Sequence, residues 1–189
     1  MKVIILDRDG VINQDSDAFI KTPEEWQPID GSIKAIAKLS KAGYAVYVLT
    51  NQSGIARGLF SLDTLEAIHN KMCDLVKQAG GKINDIYFCP HGPDDNCNCR
   101  KPLSGLYKQL SNDVDIHFDQ VPSIGDSIRD LEAAILAGAK PVLVLTGKGK
   151  TSLKNIQSDI NHHLKHTPVF DNLAEYVEQL IVNEPKFIN

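Results

Sequence analysis

Two aspartates one residue apart, Asp7 and Asp9, directly follow an apolar run at 3–6. Four apolar residues in succession are typical of a buried parallel strand, and ligands of open α/β sheets collect where such strands end. One carboxylate there can attack phosphorus, and the second can transfer protons. Taken alone, the segment fits equally well with a turn, because aspartate is common in turns.

Polar residues of complementary kinds follow two other apolar runs. Thr50 and Asn51 come after the run at 45–49, and Asp126 follows a short run at 122–124 and a glycine. Each has an ordinary explanation as a turn or a helix cap. In a doubly wound sheet, however, these strand ends would converge on one crevice, where hydroxyl and amide groups can stabilise a phosphoryl group.

The charged members of this set suggest further roles. The ammonium group of Lys101 can balance charge on phosphoryl oxygens. Asp7 and Asp126 supply hard oxygen ligands, which suit Mg²⁺. The loop 50–58 contains two glycines and Arg57, and its length and polarity also fit an ordinary loop.

Three cysteines and a histidine lie within eleven positions: Cys89, His91, Cys97 and Cys99. Three thiolates and an imidazole complete a tetrahedral Zn²⁺ shell and leave no position for water. We therefore favour a structural zinc site over buried or free thiols and over disulfides. Zinc there would hold the next two residues, Arg100 and Lys101, in place, although these could also be a solvated basic pair. Cys73 stands apart and is interpreted as a packed thiol.

The elements that must position these residues alternate between strand and helix patterns, which predicts an α/β fold. We expect a three-layer, Rossmann-like parallel sheet with helices on both faces, no large cap and a zinc-stabilised loop. Strands are predicted near 3–6, 45–49, 83–89, 122–124 and 141–145, and helices near 32–42, 61–78, 106–111, 128–137 and 173–181. The helix after Ser61 should bury a stripe that ends at Ala79. A short helical turn is predicted at 22–25, and the polar stretch 147–166 stays unassigned.

Length and charge limit the function. The chain has 189 residues, enough for one domain, which we place at 1–189. Its formal charge of -4 argues against a general nucleic-acid or anionic-membrane binder. We find no signal peptide and no apolar run of the roughly 20 residues that span a bilayer. We expect a cytoplasmic monomer that acts on a small molecule.

Four motifs, in this order, resemble the haloacid dehalogenase superfamily over nearly the whole chain through Leu145: Asp7-Arg8-Asp9-Gly10-Val11, Leu49-Thr50-Asn51-Gln52-Ser53-Gly54, Lys101-Pro102 and Gly125-Asp126 with Asp130. The resemblance implies that Asp7 is the nucleophile and Asp9 the acid and base. It places Mg²⁺ on Asp7, the Asp9 carbonyl and Asp126. It also implies that Thr50 and Lys101 stabilise the transferring phosphoryl group.

Within this superfamily, the 51–58 run and the Cys/His loop resemble the heptose-bisphosphate phosphatases. That branch implies Zn²⁺ on the four Cys/His ligands and substrate recognition by Arg100. It also implies a set of residues along the sugar phosphate: Asp15, Ser16, Asp17, Ala18, Thr50, Asn51, Gln52 and Ser53. Arg57 and Arg100 would suit a second anionic group such as a 1-phosphate.

Alternatives stay open at this point. The short zinc-loop spacing matches histidinol-phosphate phosphatases equally well, and Asp15 and Asp17 could bind their cationic substrate. A polynucleotide end phosphatase fits the acidic balance less well. A non-catalytic phospho-acceptor module would need neither Asp9 nor a thiolate loop. Ser127 stands where many relatives carry lysine, which leaves the role of that position undecided.

Overall fold

The computed structural model describes residues 2–159 and 162–183. Within them, six strands form one parallel sheet in the order β3-β2-β1-β4-β5-β6. The strands are β1 (Lys2–Leu6), β2 (Tyr44–Asn51), β3 (Asp85–Cys89), β4 (Pro122–Gly125), β5 (Lys140–Val144) and β6 (Val169–Phe170). The helices are α1 (Ser32–Lys41), α2 (Leu62–Gln78), α3 (Gly105–Asp113), α4 (Ile128–Ala137), α5 (Gly149–Ser158) and α6 (Leu173–Val182).

Helices cover both faces of the sheet, as predicted. Alternate residues of a strand point to opposite faces, so β1 contributes to two separate cores. Ile4 and Leu6 pack with residues of α1, α2 and α6. Val3 and Ile5 pack on the other face with residues of α3 and α4. The three-layer α/β prediction is confirmed.

The strand order creates a switch point at β1. The chain builds outward from β1 through β2 to β3, then returns to the other side of β1 with β4 and continues to β6. Crevices at such reversals, beyond the carboxyl ends of the strands, are where open α/β sheets bind ligands. The backbone N–H of Asp7 donates to the carbonyl of Ile124 at 2.9 Å, which brings the ends of β1 and β4 side by side.

Several sequence predictions need correction. The segment 22–25 is a turn in which the Thr22 hydroxyl accepts from the Glu25 N–H, not a helical turn. Ala79 caps α2 and is exposed, so the buried stripe ends at Val76. The unassigned stretch contains α5, whose buried residues are Gly149, Ser152 and Ile156. Because only one of those three is a large apolar residue, the helix gave no apolar period to detect.

The described part of the chain contains no helix long and apolar enough to cross a bilayer. The insertions that follow β1, β2 and β3 are loops and turns around α1, α2 and the Cys/His loop, in agreement with the expected lack of a large cap.

Candidate active site

Three carboxyl groups converge at the end of β1 and β4. Asp7, Asp126 and Asp130 each offer an oxygen within 4.8 Å of the others. Two glycines permit this approach. A Cβ on Gly10, whose φ is +81°, would lie 2.0 Å from Oδ2 of Asp126, and one on Gly125 would lie 2.2 Å from Cβ of Asp130. Side chains at either position would therefore displace the acids.

Burial makes two of these acids hard to ionise. Desolvation raises the pKa of Asp7 to about 7, against the attraction of Lys101 and with added repulsion from Asp130 and Asp9. Desolvation, Asp130 and Asp7 raise the pKa of Asp126 to about 8. Concentrated buried oxygen donors of this kind fit a divalent cation, whose charge would offset the repulsion. The donor set therefore fits Mg²⁺.

Lys101 is the cation at the centre of the cluster and is 3% exposed. Its Nζ lies 2.8 Å from Oδ1 of Asp7 and 2.5 Å from Oδ1 of Asp130, and it donates to the carbonyl of Leu49 at 2.8 Å. Burial acts to lower its pKa, but Asp130 and Asp7 hold that pKa above the usual value. Asn51 fixes the backbone of Lys101 through two hydrogen bonds of 3.0 Å. The side-chain amide of Asn51 therefore holds the backbone of Lys101 in place.

Asp130, the last residue of the fourth sequence motif, is a second carboxylate partner of Lys101. Oδ1 pairs with Lys101, while Oδ2 accepts from the N–H and the hydroxyl of Ser127 at 3.0 and 2.6 Å. Burial acts to raise its pKa, but Lys101 and Ser127 bring the pKa below the usual value. Since both oxygens are engaged, Asp130 anchors Lys101 and the start of α4. Ser127 thus holds Asp130 in place through its own N–H and hydroxyl, although many relatives carry lysine at this position.

Asp9 lies beside this cluster in a dense set of donors. Arg8 forms an ion pair with it at 3.0 Å, Asn13 donates to Oδ1 at 2.9 Å, and Gln52 donates to Oδ2 at 2.8 Å. Gln52 also donates to the Thr50 hydroxyl at 2.9 Å. Burial acts to raise the pKa of Asp9, but Arg8 and the two amides bring it below the usual value. Asp9 is thus held as an oriented carboxylate.

A cavity of about 310 Å³ opens above the carboxyl ends of the strands. The predicted catalytic, magnesium and substrate residues all line it, with the exception of Ala18. Ala18 is exposed to solvent, and its neighbour Phe19, with a φ of 65°, lines the cavity. Arg129 and Lys148 also line it and were missed.

Four cations surround the mouth of this cavity: Arg57, Arg100, Arg129 and Lys148. Burial and the nearby Arg129 lower the pKa of Arg100, which indicates that the charges of Arg100 and Arg129 repel each other. Lys148 Nζ lies 3.1 Å from Asp15 and 3.9 Å from Asp17, and its backbone N–H donates to Asp126 at 2.7 Å. Arg57 stacks over the Phe19 ring at 5.8 Å. This mouth is suited to an anion.

The four Cys/His residues lie together, as predicted. The Cys89 sulfur is 3.7 Å from that of Cys97 and 3.1 Å from that of Cys99, and Nδ1 of His91 is 3.6 Å from the Cys89 sulfur. Ligands of tetrahedral Zn²⁺ are separated by roughly 3.5–3.8 Å, given metal–ligand bonds of about 2.0–2.3 Å. The pairs at 3.6 and 3.7 Å match this spacing, whereas Cys99 lies closer to Cys89 and to His91, at 3.1 and 3.3 Å. None of the three cysteines of the cluster forms a disulfide. The donor set of three thiols and an imidazole therefore fits zinc. Arg100 donates to the carbonyl of His91 at 3.0 Å, which connects this loop to the cavity.

Known proteins resemble the chain over nearly its whole length. Family models match at 98–176, described as HAD-hydrolase-like, and at 2–134, described as polynucleotide kinase 3 phosphatase. The D-glycero-beta-D-manno-heptose-1,7-bisphosphate 7-phosphatase of Bordetella bronchiseptica is 51% identical over 96% of this chain and 98% of that protein. The enzyme of the same name from Pseudomonas putida is 52% identical over 96% and 100%. The chain belongs to the heptose-bisphosphate phosphatase family of the haloacid dehalogenase superfamily.

A solved structure of this family agrees with the fold described above. The crystal structure of the D,D-heptose 1,7-bisphosphate phosphatase from B. bronchiseptica, complexed with magnesium and phosphate, superposes with a TM-score of 0.91. It is 50% identical and covers 97% of this chain and 100% of its own. The resemblance inferred from the sequence motifs is therefore confirmed, and magnesium is the ion that a close relative binds.

Proposed function

We propose that this protein hydrolyses the 7-phosphate of D-glycero-β-D-manno-heptose 1,7-bisphosphate in a magnesium-dependent reaction. The observation that carries the proposal is the contact of Asp7 with Lys101 beside Asp126, with Asp9 two residues on. Family relatives that share half of its residues carry the name of this activity. The product would supply heptose precursors for lipopolysaccharide or related glycoconjugates.

Asp7 begins the reaction as nucleophile. Lys101 holds its Oδ1, which leaves the other oxygen to attack phosphorus. A bond forms between that oxygen and phosphorus while the bond from phosphorus to the sugar oxygen breaks. The anionic phosphate of the bound substrate opposes the charge of Asp9, so Asp9 takes up a proton from solvent as the substrate binds. It gives this proton to the departing alkoxide, and the sugar leaves as an alcohol. The Thr50 hydroxyl and the Lys101 ammonium group stabilise the charge on the phosphoryl oxygens.

Water completes the cycle. Asp9, now a carboxylate, takes a proton from a water molecule that attacks the phosphorus of the aspartyl-phosphate. The bond to Asp7 breaks, inorganic phosphate leaves, and the free carboxylate of Asp7 is restored. The same residue thus serves first as acid and then as base.

Asp7, Asp126 and the backbone carbonyl of Asp9 would hold magnesium, which would neutralise phosphoryl charge and align the phosphate. We propose zinc as the ion of the Cys/His cluster, with a structural role. Arg100 and Lys101 directly follow the last residue of that cluster, and both line the cavity.

The mouth of the cavity favours a bisphosphate over histidinol phosphate. A cationic imidazole alcohol would need acids there, but Asp15, the more buried of the two candidates, already pairs with Lys148 at 3.1 Å. Arg57, Arg100 and Arg129 offer positive charge to a second phosphate. These contacts support the heptose substrate, with the 1-phosphate at the mouth.

The match to the polynucleotide kinase 3 phosphatase model makes a nucleic-acid end the second candidate. The net charge of -4 disfavours it, because nucleic-acid binding depends on neutralising many phosphates. A phospho-acceptor module is disfavoured by Asp9, which such a protein does not need. The single domain at 1–189, the monomeric state and the cytoplasmic location stay predictions, the last supported by the free thiols.

Steady-state hydrolysis of four substrates tests the proposal: the β and α anomers of the heptose bisphosphate, histidinol phosphate and a 3′-phosphorylated oligonucleotide. We expect the highest kcat/KM for the β anomer, with phosphate released from position 7. Preferred turnover of histidinol phosphate or of the oligonucleotide would refute the substrate while leaving the chemistry intact.

A further inference from the structure

Arg8 lies between the two aspartates of the first motif and is 1% exposed. A guanidinium group buried to this degree needs acceptors for its donors. The structure provides them on three sides. Nε and Nη2 donate to Asp9 at 3.0–3.2 Å, Nη2 also donates to Oε1 of Gln52 at 3.0 Å, and Nη1 lies 3.2 Å from Nε2 of His69.

These contacts leave the two oxygens of Asp9 unequal. Oδ1 accepts from Nε and Nη2 of Arg8 and from Asn13, which gives it three donor atoms. Oδ2 accepts from Nη2 of Arg8 and from Gln52, which gives it two. The carboxylate is therefore held in one orientation by groups from both sides, with fewer donors on Oδ2 than on Oδ1.

His69 completes the arrangement from α2. It is 8% exposed, packs edge-on against Phe88 at 6.1 Å and does not line the cavity. Since arginine only donates, Nε2 of His69 must be the acceptor and Nδ1 must carry the proton. Burial and the adjacent Arg8 lower the pKa of His69 to about 3, in agreement with a neutral ring.

We propose that Arg8 is a positioning residue for the acid and base Asp9, and that His69 acts through Arg8 by fixing its guanidinium plane. This inference rests on the proposed function, because it assumes that Asp9 transfers the proton. A planar fork that meets a carboxylate, an amide and an imidazole at once has no equivalent in lysine. A positive charge at position 8 is therefore not enough to orient Asp9, and the guanidinium group is required.

The leaving group of the substrate separates this role from a structural one. An alkyl phosphate needs a proton from Asp9 to release its alkoxide, whereas p-nitrophenyl phosphate releases a stable phenolate without one. Single-turnover reactions with enzyme in excess measure this first step for both substrates. For Arg8→Lys we expect the alkyl rate to fall about 100-fold with little change in KM. The loss on p-nitrophenyl phosphate should be at least about tenfold smaller.

A pair of His69 variants tests the same role without changing any residue of the cavity, should Arg8→Lys fail to fold. His69→Leu removes the acceptor for Nη1, and we expect about tenfold loss on the alkyl phosphate only. His69→Gln supplies an oxygen in nearly the same place and should recover most of the rate that His69→Leu loses. Met72→Ala, a buried residue one turn further along α2, should lower the melting temperature without changing the ratio of the two rates.

Equal losses on both substrates, or equal rates for His69→Leu and His69→Gln, would overturn the proposal. The alkyl substrate is the heptose bisphosphate or, if the wild type rejects it, another alkyl monophosphate that the wild type hydrolyses. Rejection of the heptose bisphosphate would thus refute the proposed substrate and leave the test of Arg8 in place.

Discussion

Nζ of Lys101 lies 2.8 Å from Oδ1 of Asp7, although 94 residues separate them in the chain. The contact depends on two structural features. The parallel sheet brings the end of β1 to the crevice, and Asn51 at the end of β2 holds the backbone of Lys101. The ammonium group thereby reaches a buried carboxylate from a loop that the Cys/His cluster shapes.

Removing the charge of Lys101 should destabilise the fold as well as stop turnover. Lys101→Met leaves Asp7 and Asp130 buried with no cation, and breaking such a pair costs about 3–5 kcal/mol. Denaturant unfolding measures the loss. Lys140→Met is the matched control, because Lys140 is 55% exposed and lies 4.0 Å from Asp119. Its effect should stay below about 1 kcal/mol, and equal effects of the two variants would contradict the role of Lys101.

The raised pKa values of Asp7 and Asp126, about 7 and about 8, predict how pH affects the metal-free protein. The ordinary value is 3.8, so folding disfavours the charged form of both groups. Stability from these groups is complete below about pH 4 and is lost as pH rises through about 7 to 8.

Melting temperatures in magnesium-free buffer, with the zinc content unchanged, should therefore decline from about pH 5 to about pH 8, and added magnesium should reduce the decline. Asp126→Asn removes one of the two groups and should flatten the curve measured without magnesium. A curve that rises over this interval for the wild type, and does not respond to Asp126→Asn, would contradict the assignment.

Loss of one zinc ligand should affect both stability and activity. Cys97→Ser should abolish stoichiometric zinc binding in elemental analysis and lower the melting temperature by at least about 5 °C, which corresponds to roughly 2 kcal/mol for a chain of this size. Turnover should fall because Arg100 and Lys101 follow the loop. Cys73→Ser changes a partly buried thiol outside the cluster and should keep the zinc. Full zinc content in Cys97→Ser would exclude this ligand set.

Arg129 should recognise the second phosphate of the substrate. Arg129→Ala should raise KM for the heptose bisphosphate about tenfold, since a hydrogen bond to a charged group contributes roughly 1.5–3 kcal/mol. The kcat should hardly change, and heptose 7-phosphate should be much less affected. Lys154→Ala, an exposed residue of α5 that does not line the cavity, is the control. Equal effects on both sugars would assign Arg129 a different role.

The sequence predicted the strand ends well because a parallel sheet leaves little freedom there. Once the run before Asp7 is a buried strand and the one before Asp126 another, their carboxyl ends meet at one edge of the sheet. The clustering of the four Cys/His residues was predictable for a similar reason, since their close spacing in the chain limits how far apart they can lie.

Contacts between distant side chains could not be predicted in this way. Nothing in the sequence relates Arg8 to His69, which is 61 positions away and lies on a helix face that otherwise buries apolar residues. Lys148 lies in a polar stretch without apolar period, and its loop is placed by the hydroxyl of Thr146 and by Ser152, which donate to backbone carbonyls. Ala18 lies outside the lining of the cavity, next to Phe19, whose positive φ no sequence pattern indicated.

Trapping the intermediate on Asp7 tests the central claim most directly. The enzyme is mixed with heptose 1,7-bisphosphate and magnesium, quenched in acid within the first turnover and treated with borohydride. An acyl-phosphate on Asp7 is thereby reduced, and peptide mass spectrometry should find homoserine at position 7 in the wild type and none without substrate. An unmodified Asp7 at the time when phosphate is being released, or a modified residue elsewhere, would contradict the mechanism.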